Sequence, residues 1–221
     1  MLDDLVCCSR RIFENGLTSR VAVKTTTLGA LFDRQLCMDY LVVMFESAFE
    51  NKVEVEIDME SVPFVDFTVE AVGNCLADFP LTVTLQAYLD RSRNDLDTFL
   101  ERDGSIRLVK GAYSGDINDF VEIQDRFLDL AEVLLFGRYP FKVGTHDPRL
   151  ISWLREATDD KREKVEFQFL KGLGDETKLE LAKEGWSVFE YVPYGPNGNA
   201  YESRRESYVE MLSNLGNSPV P

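Results

Sequence analysis

Residues 20–29 read RVAVKTTTLG, and the choice of fold turns on the residues just past the apolar run. Val21, Ala22 and Val23, between Arg20 and Lys24, suit a short buried strand. A doubly wound nucleotide-binding sheet would place glycines after its first strand, letting the chain approach a pyrophosphate. Here Thr25, Thr26, Thr27 and Leu28 come before Gly29. Further on, Gly172-Leu173-Gly174 has Thr177 where a third glycine belongs, and it reads as an ordinary turn. The strand ends instead on a charged residue, Lys24, and that ending recurs.

Outward from this stretch the same unit repeats: an apolar strand, a polar residue at its end, then an amphipathic helix. Strands are expected near residues 20–24, 53–58, 81–86, 105–110, 141–145, 165–169 and 187–192. Between them apolar residues fall at helical spacing, as in Met38, Leu41, Phe45, Ala48 and in Val69, Val72, Leu76, Phe79. Strands alternating with helices predict a parallel sheet with right-handed crossovers. The polar residues Lys24, Asp58, Gln86, Lys110, His146 and Tyr194 close the strands, where a barrel keeps its chemistry. The expected fold is α/β, a (β/α)8 TIM-type barrel with seven readable strands and the first one lacking. No linker or composition break divides the chain, so residues 1–221 are expected to form one domain.

Charge narrows the function. Asp and Glu number 39 against 24 Lys and Arg, and the net charge of -15 argues against nucleic acid and anionic lipid as partners. No run of about 18 apolar residues is present to span a membrane. The start, MLDDLVCCSRRIF, puts acids ahead of a short apolar run and lacks a small-residue cleavage site, so it is not read as a signal peptide. A cytoplasmic protein with reduced thiols is expected, because Cys7, Cys8, Cys37 and Cys75 fit no metal spacing. The single histidine, His146, excludes any site needing two, and no metal is expected.

Each strand-end residue has an ordinary explanation: a snorkelling lysine, a helix cap, a turn. Residues 191–205, YVPYGPNGNAYESRR, add a second signal. A helix there places Tyr201, Arg204 and Arg205 at i, i+3 and i+4, on one face. Two adjacent guanidiniums repel unless an anion lies between them, which suits a carboxylate clamp. A basic, solvated helix end is the alternative. Taken together, a cationic rim with one acid suits an anionic ligand or a cofactor that gains negative charge. The residues alone reach a barrel enzyme binding a carboxylate or a phosphate.

Seven segments carry a family resemblance: VKTTTLG (23–29), EIDMES (56–61), LQAYLDR (85–91), RLVKGAY (107–113), GTHDPR (144–149), EFQFLKG (166–172) and YVPYG…YESRR (191–205). In order and spacing, from about 21 to 208, the chain resembles proline dehydrogenase, a family of FAD-dependent barrels. These enzymes oxidise L-proline to Δ1-pyrroline-5-carboxylate. The resemblance implies that Arg204 and Arg205 grip the proline carboxylate and that Lys24 adds a third cation. It implies that Tyr113, Tyr194 and Tyr201 line the pyrrolidine ring, and that Arg107, Asp58 and Tyr113 are the catalytic set, Asp58 holding its neighbours in position. It assigns FAD to Gln86, Arg107, Val109, Lys110, Gly111, Ala112, Thr145, His146 and Gln168. It further implies a quinone-type electron acceptor and leaves room for peripheral membrane contact and for an oligomer.

Three departures from the family pattern bear on this. Only a helix (Leu2, Leu5, Val6, Ser9, Ile12, Phe13) precedes the Lys24 strand, so an N-terminally truncated sequence is expected, rather than a partner or that helix covering the gap. Ser114 stands where some members place a flavin-packing tryptophan, and Tyr208 where members usually have a glutamate. Two rival readings stay open: a non-catalytic remnant acting as a binding protein, and a flavin barrel oxidising hydroxyproline or another small cyclic amino acid.

Overall fold

Strand residues alternate between two environments, and that alternation builds the molecule. The computed structural model describes residues 1–194 and, beyond them, Ser203, Glu206 and Glu210. After α1 (Leu2–Glu14) come β1 (Val21–Val23), α2 (Arg34–Glu50), β2 (Val55–Ile57), α3 (Val62–Cys75) and β3 (Leu81–Gln86). Next are α4 (Ser92–Leu100), β4 (Ser105–Val109), α5 (Phe120–Phe136), β5 (Phe141–Gly144), α6 (Pro148–Ala157), β6 (Val165–Leu170), α7 (Asp175–Glu184) and β7 (Ser187–Tyr191). All seven strands pair in parallel, in the order β1 to β7. The sequence-based strand count and the α/β barrel class both hold. The strands stop slightly early, so Lys24, Asp58, Lys110 and Thr145 each stand one residue past a strand end.

One set of strand residues is apolar and fully buried: Val23, Ile57, Val83, Leu85, Ile106, Leu108, Val143, Phe167 and Phe169. They form a single core with helix residues such as Met44, Phe45, Val72, Leu96, Phe127 and Leu154. Burying each such side chain contributes roughly 1.5–3 kcal/mol, which makes this layer the main source of stability.

The intervening strand residues are polar and meet one another across the curl of the sheet. Gln168 of β6 donates to Glu56 of β2 at 2.6 Å, and Arg20, just before β1, forks onto Glu166 of β6 at 2.6 and 2.8 Å. Barrel interiors are ordinarily filled by branched aliphatic residues. This one is filled by ion pairs.

Among the described residues the sheet does not close on itself. β1 and β7 share no strand pairing, and side chains cross the seam between them. Arg20 lies 4.0 Å from the Phe189 ring centroid, and Lys24 Nζ donates to the Tyr191 hydroxyl at 3.2 Å. Beside β1, α1 packs on α2, with buried Ser9 bonded to Ser47 at 3.1 Å.

Candidate functional site

The site is assembled around one carboxylate. The chain leaves β2 with the Asp58 N–H donating to Val23 O at 2.9 Å, which turns the side chain into the curl. Asp58 Oδ1 accepts from Arg107 Nη1 at 2.6 Å, and Oδ2 accepts from the Tyr191 hydroxyl at 2.6 Å. Lys24 donates to the same Oδ2. Asp58 and Arg107 are buried, and Lys24 is half-buried at the rim. Burial alone would raise the Asp58 carboxyl, but the Lys24 and Arg107 cations outweigh it and hold the group down to about 2. Burial likewise pushes the Lys24 ammonium down, and Asp58 more than reverses it. Burial and the facing Asp58 carboxylate both push the Tyr191 phenol up, so it stays a proton donor.

Below this knot the ion pairs continue. Glu56 accepts from Arg20 Nη1 at 2.8 Å and lies 3.7 Å from Arg107 Nη1 and 3.5 Å from Lys142 Nζ. Lys142 also reaches Glu54 and donates to Thr82 Oγ1 at 2.6 Å. Among the described residues, four cations (Arg20, Lys24, Arg107, Lys142) meet four carboxylates (Glu54, Glu56, Asp58, Glu166). Burial and the neighbouring Arg20 cation push the Lys142 ammonium down to about 7, so near neutral pH the interior holds no excess of positive charge.

The loop after β1 is fixed from the β2 side. Glu60 accepts from Thr26 N at 2.9 Å, from Thr26 Oγ1 at 2.5 Å and from Thr25 Oγ1 at 3.1 Å. This holds the backbone that aims Lys24.

A second cluster sits at the ends of β4 and β5. Lys110 Nζ and Gln124 Nε2 both donate to Asp147 Oδ2, at 2.8 and 2.7 Å. Thr145 Oγ1 accepts from Asp147 N at 3.1 Å. His146 accepts the Leu170 N–H on Nε2 at 3.0 Å and packs edge-on against Phe169, so that nitrogen is already committed.

Between the clusters lie buried polar atoms with no partner among the described residues: Gln86 Oε1, Arg107 Nε and Thr84 Oγ1. Buried groups of this kind ordinarily find a partner. β3 and β4 are neighbours in which Thr84 pairs with Arg107 and Gln86 with Val109, so an acceptor and a donor wait close together. Gly144 keeps the space open, since a Cβ there would fall 3.1 Å from Val109 Cγ1 and 3.5 Å from Arg107 Nε. An acceptor and a donor beside a residue without a side chain fit the amide-rich edge of a flavin. Gly111 has a different cause for its missing side chain. At φ +128° its Cβ would lie 1.4 Å from Tyr88 Cε1, so this glycine makes room for Tyr88.

The structure thus unites Lys24, Asp58 and Arg107, and separately Lys110, Thr145 and His146. Gln168 is drawn deeper, onto Glu56 and Glu166. Val109 and Tyr113 are half-buried, Ala112 and Ser114 are exposed, and Tyr194 is 78% exposed at the mouth. Tyr201, Arg204, Arg205 and Tyr208 lie outside the described residues. The sequence reading names none of Tyr191, Glu56, Glu60 and Asp147 as a site residue. Tyr191 has a usable signal, because it falls two residues beyond Phe189 and four beyond Ser187, on one face of β7.

Fold and site together define a (β/α)-barrel enzyme with a charged site at the strand ends. A family model described as proline dehydrogenase matches residues 10–116 and 117–205, and the chain belongs to that family. Proline dehydrogenase 1 of Bacillus subtilis subsp. natto is 33% identical over 205 residues, covering 88% of this chain and 67% of the relative. Proline dehydrogenase 2 of Bacillus subtilis (strain 168) is 28% identical over 212 residues, covering 92% of this chain and 69% of the relative. Among solved structures, proline utilization A from Bdellovibrio bacteriovorus, inactivated by N-propargylglycine, superimposes with a TM-score of 0.83 at 21% identity. That match takes in 92% of this chain and 27% of the other, and it speaks for the fold.

Proposed function

We propose that this chain oxidises L-proline to Δ1-pyrroline-5-carboxylate, using FAD and passing electrons to a quinone-type acceptor. Family membership supports the reaction class. The observation that carries the site assignment is the buried Asp58 carboxylate held by Lys24, Arg107 and Tyr191 at the C-terminal ends of the strands.

Because the interior holds no excess of positive charge, a substrate carboxylate needs further cations. Arg204 and Arg205 are the residues to supply it, with Lys24 as the inner contact. Fixing proline by its carboxylate sets the ring carbon next to nitrogen in place, and orientation of this kind supplies much of the rate. Tyr113, Tyr194 and Tyr201 wall the ring. Asp58, held well below the usual carboxylate range, is a poor proton acceptor. Its part is to keep Lys24 and Arg107 charged and aimed, and the amine proton leaves to water.

FAD, when bound, supplies the two-electron acceptor. Gln86, Arg107, Lys110, Thr145 and His146 would hold it, Gln86 Oε1 and Arg107 Nε offering the unpaired acceptor and donor. On the same strand-end face Leu31, Phe32, Val62 and Val192 are exposed, and they suit an apolar electron carrier or a membrane surface. No helix among the described residues is long and apolar enough to cross a membrane.

The test is an anaerobic titration of FAD-loaded protein with L-proline, followed by visible flavin absorption. Bleaching on L-proline is expected. Loaded protein that keeps its colour at saturating L-proline overturns the substrate, and protein that never takes up FAD overturns the cofactor.

A further inference from the structure

Among the described residues three helices begin on an aspartate that caps the backbone, and one of the three is unlike the others. Asp33 at α2 and Asp119 at α5 are exposed and serve their own helix. Asp147 at α6 is 0% exposed. Its Oδ1 accepts the Arg149 N–H at 3.0 Å, the capping bond, while Oδ2 takes Lys110 Nζ at 2.8 Å and Gln124 Nε2 at 2.7 Å. Its own N–H goes to Thr145 Oγ1 at 3.1 Å. One residue therefore ties the end of β4, the body of α5 and the start of α6 by its side chain, and the end of β5 by its backbone N–H.

A cap needs only one of these bonds and loses nothing at the surface. Burying a carboxylate is costly unless a cation meets it, and burying the Lys110 ammonium is costly for the mirror reason. Burial pushes the Lys110 ammonium down and Asp147 opposes that without reversing it, so Asp147 decides where the ammonium sits and supports its charge. Phe120 closes the other side, its ring centroid 4.0 Å from Nζ.

We infer that Asp147 is a positioning residue for the FAD site, acting through Lys110 to set how tightly the cofactor is held. This rests on the proposed function, in which Lys110, Thr145 and His146 hold FAD. Asparagine in place of Asp147 keeps an oxygen for the cap and removes the charge that secures Lys110.

The experiment compares FAD dissociation constants, from quenching of flavin fluorescence, for the wild type, Asp147→Asn, Lys110→Met and the double variant. Each single change should weaken FAD binding roughly tenfold, and the double variant should be no worse than Lys110→Met, because residues acting through one another are not additive. Gln124→Leu removes the other partner of the same oxygen and should shift the constant by less than about threefold. The inference is overturned if Asp147→Asn binds FAD like the wild type, if the two losses multiply, or if Gln124→Leu loosens FAD equally. Should the asparagine variant not fold, Asp147→Ser repeats the test, with a cap oxygen and no charge. Wild-type protein that fails to bind FAD overturns the cofactor assignment and this inference with it. Wild-type binding with an unaffected variant overturns this inference alone.

Discussion

The two sides of the sheet are held together by different physics. Along the wall, β3 pairs with β4 over five residues and β6 with β7 over five, and buried apolar side chains cover its outer face. At the seam, β1 and β7 have no ladder between them, and the crossing contacts are Arg20 over Phe189, Arg20 on Glu166, and Lys24 with Tyr191. Wall residues can be exchanged for others of similar shape without touching the chemistry. Seam residues cannot, because Lys24 and Tyr191 close the sheet and also hold Asp58. Stability and site share the same side chains there.

The sharpest way to break this contrast is Asp58→Ala. It leaves Lys24 and Arg107 without their shared carboxylate and should cost about 3–5 kcal/mol in urea unfolding. Leu108→Ala on the wall should cost a similar ~2–5 kcal/mol. Only the Asp58 change should also abolish bleaching of the flavin by L-proline. If both variants react with proline alike, the seam carries no chemistry.

Next in size is Arg20→Met, which takes the guanidinium from Glu56 and Glu166 and leaves them Gln168. A loss of about 2–3 kcal/mol in the same assay is expected, since both carboxylates lose a charged donor. A loss under about 0.5 kcal/mol, the range of ordinary surface substitutions, would mean the seam is not stitched there.

Acid probes the seam without mutation. Asp58 titrates at about 2 in the fold against about 3.9 for an unfolded aspartate. A depressed carboxyl contributes stability that is present above the unfolded value and lost as pH falls through the folded one. About 2–3 kcal/mol should therefore disappear between roughly pH 4 and pH 2, and Asp58→Asn should remove this component from the pH–stability curve. An unchanged curve in that variant would assign the acid transition to other carboxylates.

The smallest effect belongs to Tyr191→Phe. It deletes one hydrogen bond to Asp58, worth about 1.5–3 kcal/mol at a charged group and less where Lys24 stays in place. At the site it should raise KM for L-proline more than it lowers kcat. A variant with wild-type KM would confine Tyr191 to the scaffold.

The barrel was legible because its outer layer is apolar with a period of two, as in Leu81, Val83 and Leu85, while helical spacing fills the gaps. Lys24 and Asp58 were legible because chemistry gathers at strand ends, and Arg107, in the body of β4, only through the family resemblance. The interior was not. Glu56, Lys142 and Glu166 alternate with apolar residues just as a solvated strand face would, and only the curl of the sheet turns that face inward. Asp147, ahead of Pro148, reads as a plain helix cap, since nothing in a linear pattern reveals that Lys110 lies across from it. The choice between Tyr191 and Tyr194 depends on the direction in which the chain leaves β7, which a Gly- and Pro-rich segment leaves open to tertiary packing.

The pairing of basic with acidic groups inside the curl has a consequence for how such a barrel could change over generations. A lone exchange at Arg20, Glu56 or Glu166 leaves an odd charge in a buried or half-buried position. Two exchanges made together restore the sum. Drift at these positions should therefore travel in couples, arginine with glutamate or both giving way to apolar residues, while the outer layer changes one residue at a time.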